Sequence, residues 1–509
     1  MALYPRAVPD TDTYAASRAL FDTLITRLGD PEMTARPEHA VEEFITGEGR
    51  DVLRQTLQDH LDARAAAEPR LAQVSGADQI TRRRAEPGHA RLLATTLGRV
   101  EVTRIAYRAP GVSNLHPADA RLALPAGWYS FPLQRQVVHE SVTGALREAR
   151  DGLARVLGQP VGTRQLMQIT VQAAHDIRDF YQQHTVPAPT AHPSGQPTPR
   201  DLLVLSIDAT GVNMIDSGLR EPAPTRPAGP RPPSAQLASR QRAGRTRMAV
   251  VTAVYDAAPA VRDPDDVLPS TAAERADRRP GPKAVNRELD ASLADSTTPM
   301  TRRLFDRAQQ RDPQHRRRWI VLVDGNNHQI ERIRCEAHTR GVRIDIILDF
   351  VHVLEYLWKA AEDLHPTQPG RAGFVARIAR DLLQGHAPRV IADLSAHHDT
   401  LTQAGTRAPG LQRCIAYLTA KQPYLIYHIA LTMGWPIATG VIEGACRYLV
   451  KDRLAITGAR WSLPGAEAVL LLRAVITNGD FDAYWKFHLQ QTHQRTHTSR
   501  YQHQYDLAA

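Results

Sequence analysis

Apolar positions along this chain change period several times, and each change marks a change of element. Over 13–72 they recur at helical spacing. Between Val41 and Leu61 they fall at Val41, Phe44, Ile45, Val52, Leu53, Leu57 and Leu61 with acids and arginines between, which predicts amphipathic helix. After Gly98 apolar and polar residues alternate, which predicts a hairpin or paired strands over 95–108, followed by the turn ArgAlaProGlyVal at 108–112. Helical spacing returns from Leu133 to Gln182. Within it 141–158 reads as one helix stopped by Gly158, and 160–174 as a second capped by Thr163.

The second half opens differently. Leu202–Asp208 (LLVLSID) is apolar or small up to its closing acid, the pattern of a short, fully buried strand. A second strand is predicted at Gly211–Ile215 and a third at 247–255. A helix from Thr301 to Gln310 leads to the buried strand 319–324 (WIVLVD), then a helix over 327–340, then a strand running into a helix over 343–358. Residues 359–430 read as mostly helical, 440–453 as one helix, and 465–477 and 480–489 as the last two. The domain reading is therefore an N-terminal helical region (1–90), a β-hairpin plus helix-turn-helix-like region (91–183), and a Pro-rich linker (184–200). A catalytic α/β domain follows in two parts (201–358 and 431–490), interrupted by a helical insertion (359–430), and 491–509 form a disordered tail. Within the first part, 219–244 and 256–298 read as flexible Pro-bearing excursions.

Charge narrows the partner. The formal net charge is +9 and the sequence pI is about 9.6, which favours a polyanion, nucleic acid first. In that light, helix, glycine-bearing turn and polar-faced helix over 141–174 match a helix-turn-helix, with Arg164, Gln165 and Gln168 in reach of double-stranded DNA; an ordinary helical hairpin has the same pattern. Cys335, Cys414 and Cys446 are too few and too scattered for a disulfide framework or a zinc ribbon. No basic segment followed by an apolar run opens the chain, and no stretch reaches the roughly 18 apolar residues of a spanning helix. A soluble cytoplasmic protein with no membrane partner is expected.

Three acids stand in pointed settings: Asp208 and Asp324 at the ends of buried strands, and Glu443 in GVIEG, at the start of a helix. Carboxylates at the C-terminal ends of strands are where α/β folds build ligand sites. Three strands, a helix, a strand ending in an acid, a helix, a strand and a later helix bearing a third acid is the RNase H-like order, in which the first and fourth strands are neighbours. Asp208, Asp324 and Glu443 are thus predicted to converge as metal ligands and catalytic groups for two Mg²⁺ ions, with Mn²⁺ able to substitute. Phosphodiester chemistry needs a nucleophile activated on one side and a leaving oxygen stabilised on the other, which two such ions do at about 3.5–4 Å separation. Hard oxygen ligands suffice for Mg²⁺.

The segments LLVLSIDATGV, WIVLVDGNNHQIE, IDIILDFVHVLEYLWKAAEDLHP and GVIEGACRYLVKDRLAITGARWSLPGAEAVLLLRAVITNGDFDAYWKFH resemble bacterial insertion-sequence transposases of the ISKra type, DDE enzymes distantly similar to the Mutator group. The likeness spans about 200–490. It implies Asp208, Asp324 and Glu443 as the triad, binding to terminal inverted repeats, Mg²⁺-dependent cleavage and strand transfer, a homo-oligomer on DNA, and nucleoid association. AspPheValHis at 349–352 matches a family signature, so Asp349 and His352 are candidates for support of the site, Asp349 being equally readable as an ordinary helix N-cap. A rival assignment makes Asp349 the second ligand and Asp324 a turn former before Gly325. Arg447, Lys451 and Arg453 follow Glu443 and suit phosphate contacts. Two other functions fit the same residues: a stand-alone RNase H-like nuclease, and a catalytically silent DNA-binding protein derived from a transposase.

Overall fold

The computed structural model describes residues 13–158, 161–183, 202–215, 245–269, 272–456 and 458–502. The chain forms two compact units, one of residues 1–180 with 482–509, the other of residues 181–481. It is of mixed α+β class, with a five-stranded mixed sheet in the second unit. Among the described residues no helix is long and apolar enough to cross a membrane. The expected linker at 184–200 and excursion at 219–244 lie outside the described residues.

In the first unit α1 (Ala15–Leu28) packs on the long helix α2 (Glu38–Ala66), where the Ser17 amide donates to buried Asp59 at 2.9 Å. The hairpin pairs β1 (Arg84–Thr95) with β2 (Gly98–Arg108). Only its second strand alternates cleanly in sequence. The first is interrupted by a register shift between Glu86 and His89, where Pro87 and Gly88 stand. The helical stretch that follows is α3 (Phe131–Thr143), α4 (Leu146–Leu157) and α5 (Thr163–Ala173), around Val137, Leu153, Leu166 and Ile169.

Two expectations are corrected here. Residues 141–158 are not one helix: the chain breaks at Gly144, and Glu148 caps the new start by accepting from the Ala145 amide at 3.2 Å. The N-cap of α5 is Gly162, not Thr163. The end of α4 at Gly158, in the left-handed region at φ 66°, is as the sequence predicts.

The C-terminal helix, Phe481–Thr496, belongs to this first unit from Asp482 onward and is longer than its apolar pattern suggests. Its polar residues are used internally. Asp176, buried at 1 % exposure, accepts from His488 Nδ1 at 2.7 Å and from both terminal nitrogens of Arg495 at 2.5 and 2.9 Å. The chain from 491 to 502 is therefore ordered rather than a free tail, and Tyr501 is buried and bridges to Gly76.

The sheet of the second unit comprises β3 (Leu202–Asn213), β4 (Thr246–Ala257), β5 (Ala284–Ser292), β6 (Arg318–Val323) and β7 (Ile344–Leu348), in spatial order β5-β4-β3-β6-β7. Counted within the sheet that is 3-2-1-4-5, antiparallel on the β5 side and parallel from β3 to β7. The parallel pairs are joined through α6 (Thr297–Arg311) and α7 (Asn327–Arg340), while α8 (Phe350–Leu364) follows β7. Both central strands are buried on both faces, which is why they read as unbroken apolar runs.

Residues 202–208 and 211–215 prove to be one strand: β4 pairs with it without a break from Leu202 to Asn213. The predicted excursion at 256–298 is also corrected, because it contains two short helices and the edge strand β5. That strand escapes the apolar pattern because its acids face arginines of α6: Glu288 meets Arg307 at 2.9 Å and Arg311 at 3.1 Å, and Asp290 meets Arg303 at 2.8 Å. The stretch 359–430 is helical as expected, with α9 (Gln368–Leu383), α10 (Ala387–Gln403) and α11 (Pro409–Lys421) packed with α8.

The turn entering β6 is fixed by charge. Asp312 accepts from the amides of Arg316 and Arg317 and from the indole of fully buried Trp319, and Arg317 donates to Leu202 O and Asp256 Oδ1, both at 2.8 Å. Both members of the Asp256–Arg317 pair are 3 % exposed. Asp256→Ala strands a buried guanidinium, so the expected loss of unfolding free energy is about 3–5 kcal/mol in urea titration. A loss below about 1 kcal/mol contradicts this role.

Candidate functional site

Strand register decides where the acids stand. Paired residues of β3 and β6 differ by a constant 116 (318 minus 202), and those of β6 and β7 by 25 (344 minus 319). Carried past the last paired residues, these offsets bring Asp208 level with Asp324 and Asp324 level with Asp349. Three acids thus stand side by side across three adjacent strands spaced about 4.8 Å apart, Asp324 and Asp349 just past the carboxyl ends of β6 and β7 and Asp208 within β3, which runs on to Asn213. Glu443 arrives from α12 (Gly440–Ala445). Asp208, Asp324, Asp349, His352 and Glu443 all line one cleft of about 840 Å³.

Each acid has its own surroundings. Asp208 is half-buried; its Oδ1 accepts from the Ala209 amide at 2.6 Å and its Oδ2 from the Cys446 thiol at 3.4 Å. Burial is the largest influence on its carboxyl and pushes the pKa up, with the charges of Asp324 and Glu443 adding to it against those two hydrogen bonds. Burial and the Asp208 charge likewise hold Cys446 well above the usual thiol range, so it stays a donor. Cys446 opens a π-helical turn, Cys446–Lys451, directly after α12. The sequence read 440–453 as a regular helix; the widened turn is a form often found at functional sites.

Asp324 accepts from the Asn326 amide at 3.0 Å, and its carbonyl accepts from the Tyr417 hydroxyl at 2.8 Å. Gly325 makes that contact possible. Its φ is +97°, and an added Cβ would stand 2.8 Å from the Tyr417 oxygen and 3.1 Å from Leu348 Cδ1. Gly325→Ala is expected to lower stability by about 1–3 kcal/mol in chemical denaturation. Gly341→Ala, at φ +63° with open space around it, isolates the backbone part. Equal losses in the two variants would show that the contact with Tyr417 carries no weight.

Asp349 is 2 % exposed and fully engaged. It caps α8 through the Val351 amide at 3.2 Å, and accepts from the Thr439 amide at 3.2 Å and the Thr439 hydroxyl at 2.8 Å. That hydroxyl also lies 3.0 Å from Glu443 Oε1. Burial pushes the Asp349 carboxyl up, with the Glu443 charge adding to it. Asp349 therefore ties the start of the Glu443 helix to the end of β7. His352 sits in the first turn of α8, edge-on to Tyr356 and Tyr417, with its Nδ1 3.6 Å from Glu355.

No known protein-family pattern matches this chain, and no curated protein matches it. The site is read from its own chemistry.

Arg447, at 80 % side-chain exposure, and Lys451 line the cleft as the sequence suggests. Arg453 does not: it is 2 % exposed, with its guanidinium 4.7 Å from the centre of the Trp461 ring, so it supports the fold and is out of reach of a phosphate. Arg164, Gln165 and Gln168 belong to the first unit. Arg164 is exposed, while Gln165 and Gln168 line a separate cleft there. Sequence reasoning missed Thr439, Cys446, Tyr417 and Glu355. Thr439 and Cys446 stand four residues before and three after Glu443, a helical spacing that could have flagged them. Nothing local marks Tyr417, which meets Asp324 only through the fold.

Among the described residues no three His, Cys, Asp or Glu side chains are drawn together closely enough to make a ready-formed metal cage. The donor chemistry still fits a hard divalent cation. Asp208, Asp324 and Glu443 offer only carboxylate oxygens, and the burial and like-charge repulsion felt at Asp208 are what a bound cation would reverse.

Proposed function

We propose that this chain is a DDE transposase: an RNase H-like catalytic domain that cleaves DNA at the terminal inverted repeats of its insertion sequence and joins the ends to a target. The observation that carries the reading is the common cleft of Asp208, Asp324 and Glu443, reached from two adjacent strands and a later helix. The 3-2-1-4-5 mixed sheet and the helical stretch between the second and third acids support it.

Asp208 and Asp324 would hold Mg²⁺ from neighbouring strands, and Glu443 from the helix. When bound, two such ions activate the attacking oxygen and stabilise the leaving one. The protein's own contribution is placement. Cys446 orients Asp208, Tyr417 fixes the backbone at Asp324, and Thr439, held by Asp349, orients Glu443. Arg447 and Lys451 are positioned to neutralise the phosphate backbone. The first unit, with its helical α3–α5 core, is the part assigned to the transposon ends, and bridging two ends calls for a homo-oligomer on DNA.

The test uses the full chain, Mg²⁺ or Mn²⁺, and DNA carrying the inverted repeats that flank the gene, against random DNA. Cutting confined to the repeat ends and abolished by EDTA supports the proposal. Indiscriminate cutting makes the protein a nuclease, and binding without cutting makes it a silent DNA-binding protein.

A further inference from the structure

We infer that the first unit carries a binding site for an unpaired nucleobase. The site is a cleft of about 750 Å³ between α5, the C-terminal helix and residues 125–131, remote in sequence from the acids of the sheet. Its most conspicuous feature is Trp128, a large aromatic left 69 % exposed. An indole in water gives up the burial that normally justifies it, unless a ligand covers its face. The backbone that carries it is fixed: the Ala94 amide donates to Trp128 O at 2.8 Å, the Ser130 amide donates to Ala94 O at 2.9 Å, and the Arg91 guanidinium holds Gly127 O. Trp128 is thus presented on a rigid lip.

Opposite it, Gln165, Gln168 and Gln172 share one face of α5 and line the cleft. Each amide offers both a donor and an acceptor, the complement of a base edge. Stacking on an aromatic ring combined with amide contacts to an exposed base edge is how proteins take up unpaired bases. No carboxylate is among the described residues lining the cleft, and Asp176 beside it is engaged by Arg495 and His488, so no unpaired negative charge there repels a ligand carrying phosphate. A double helix does not fit a recess in this way, since a groove-reading helix must protrude. The glutamines expected to read duplex DNA therefore face a space suited to a single base. The inference rests on the proposed function only in taking nucleic acid as the partner.

The test is binding of the full chain, in EDTA, to a short single-stranded oligonucleotide containing one 2-aminopurine, to the same sequence fully paired, and to a duplex with one splayed terminal 2-aminopurine. Quenching with the single strand or the splayed end, and not with the paired duplex, is expected, and the two unpaired probes tell a free strand from an opened duplex end. Trp128→Ala, whose exposed site leaves the fold intact by circular dichroism, should weaken binding about 10- to 100-fold and abolish quenching. Gln168→Ala/Gln172→Ala should also weaken it. Parental quenching in Trp128→Ala, or no preference for unpaired probes, overturns the inference. A chain that cuts repeat ends but shows no Trp128-dependent binding refutes this site alone, and one that binds the probe but never cuts refutes the catalytic reading alone.

Discussion

Asp208→Asn is expected to abolish metal-dependent DNA cleavage while leaving the protein at least as stable as the parent. The loss should exceed the roughly 10- to 100-fold that follows removal of a residue merely supporting a metal ligand. The stability half follows from burial. An acid whose folded pKa lies above its unfolded one opposes folding when ionised, and that penalty fades as pH falls through the folded value. Asparagine keeps the shape without the charge, so in EDTA at neutral pH the variant should melt no lower than the parent. The one amide oxygen can keep the Ala209 amide as donor, with its NH2 turned to the Cys446 sulfur, a weak acceptor. Thermal unfolding and a cleavage assay on the same preparation separate the two effects. An inactive variant that also unfolds at much lower temperature would mean that Asp208 serves the fold.

The second large effect separates Asp324 from Asp349, which register places side by side but which differ in engagement. Asp349→Ala leaves the Thr439 and Val351 amides without their acceptor and the Thr439 hydroxyl with Glu443 alone, and a stability loss of about 2–4 kcal/mol is expected, with activity falling because the start of the Glu443 helix loses its tie to β7. Asp324→Ala removes one hydrogen bond, to the Asn326 amide, and should cost little stability and nearly all cleavage. Full cleavage by Asp324→Ala would transfer the second ligand position to Asp349.

The sequence was most informative where burial or capping leaves a local mark. The reading of 327–340 as a helix matches α7 to the residue, because Asn326 caps it through the His328 and Gln329 amides and Gly341 ends it in the left-handed region. Buried Leu202–Ile207 and Trp319–Val323 announced themselves as apolar runs, and they are neighbours with the 116-residue offset that separates Asp208 from Asp324. The strand count came out right through two compensating errors. Gly211 suggested a break that the β4 pairing does not allow, while β5 was hidden because its acids are neutralised by the arginines of α6. Gly144, in the middle of a helical pattern, is the local signal of the break between α3 and α4. Thr439 and Cys446 are marked only by their helical spacing from Glu443, and the partners that give them and Tyr417 their roles lie 90 or more positions away.

The most direct test of the metal site is anomalous diffraction from crystals of the full chain with repeat-end DNA and Mn²⁺. Manganese is expected in the cleft, with oxygens of Asp208 and Asp324 at about 2.1 Å from the ion nearest the sheet and Glu443 on the same cluster. Manganese bound elsewhere, with the Asp208 carboxylate still held by Cys446 and no ion between it and Asp324, would contradict it.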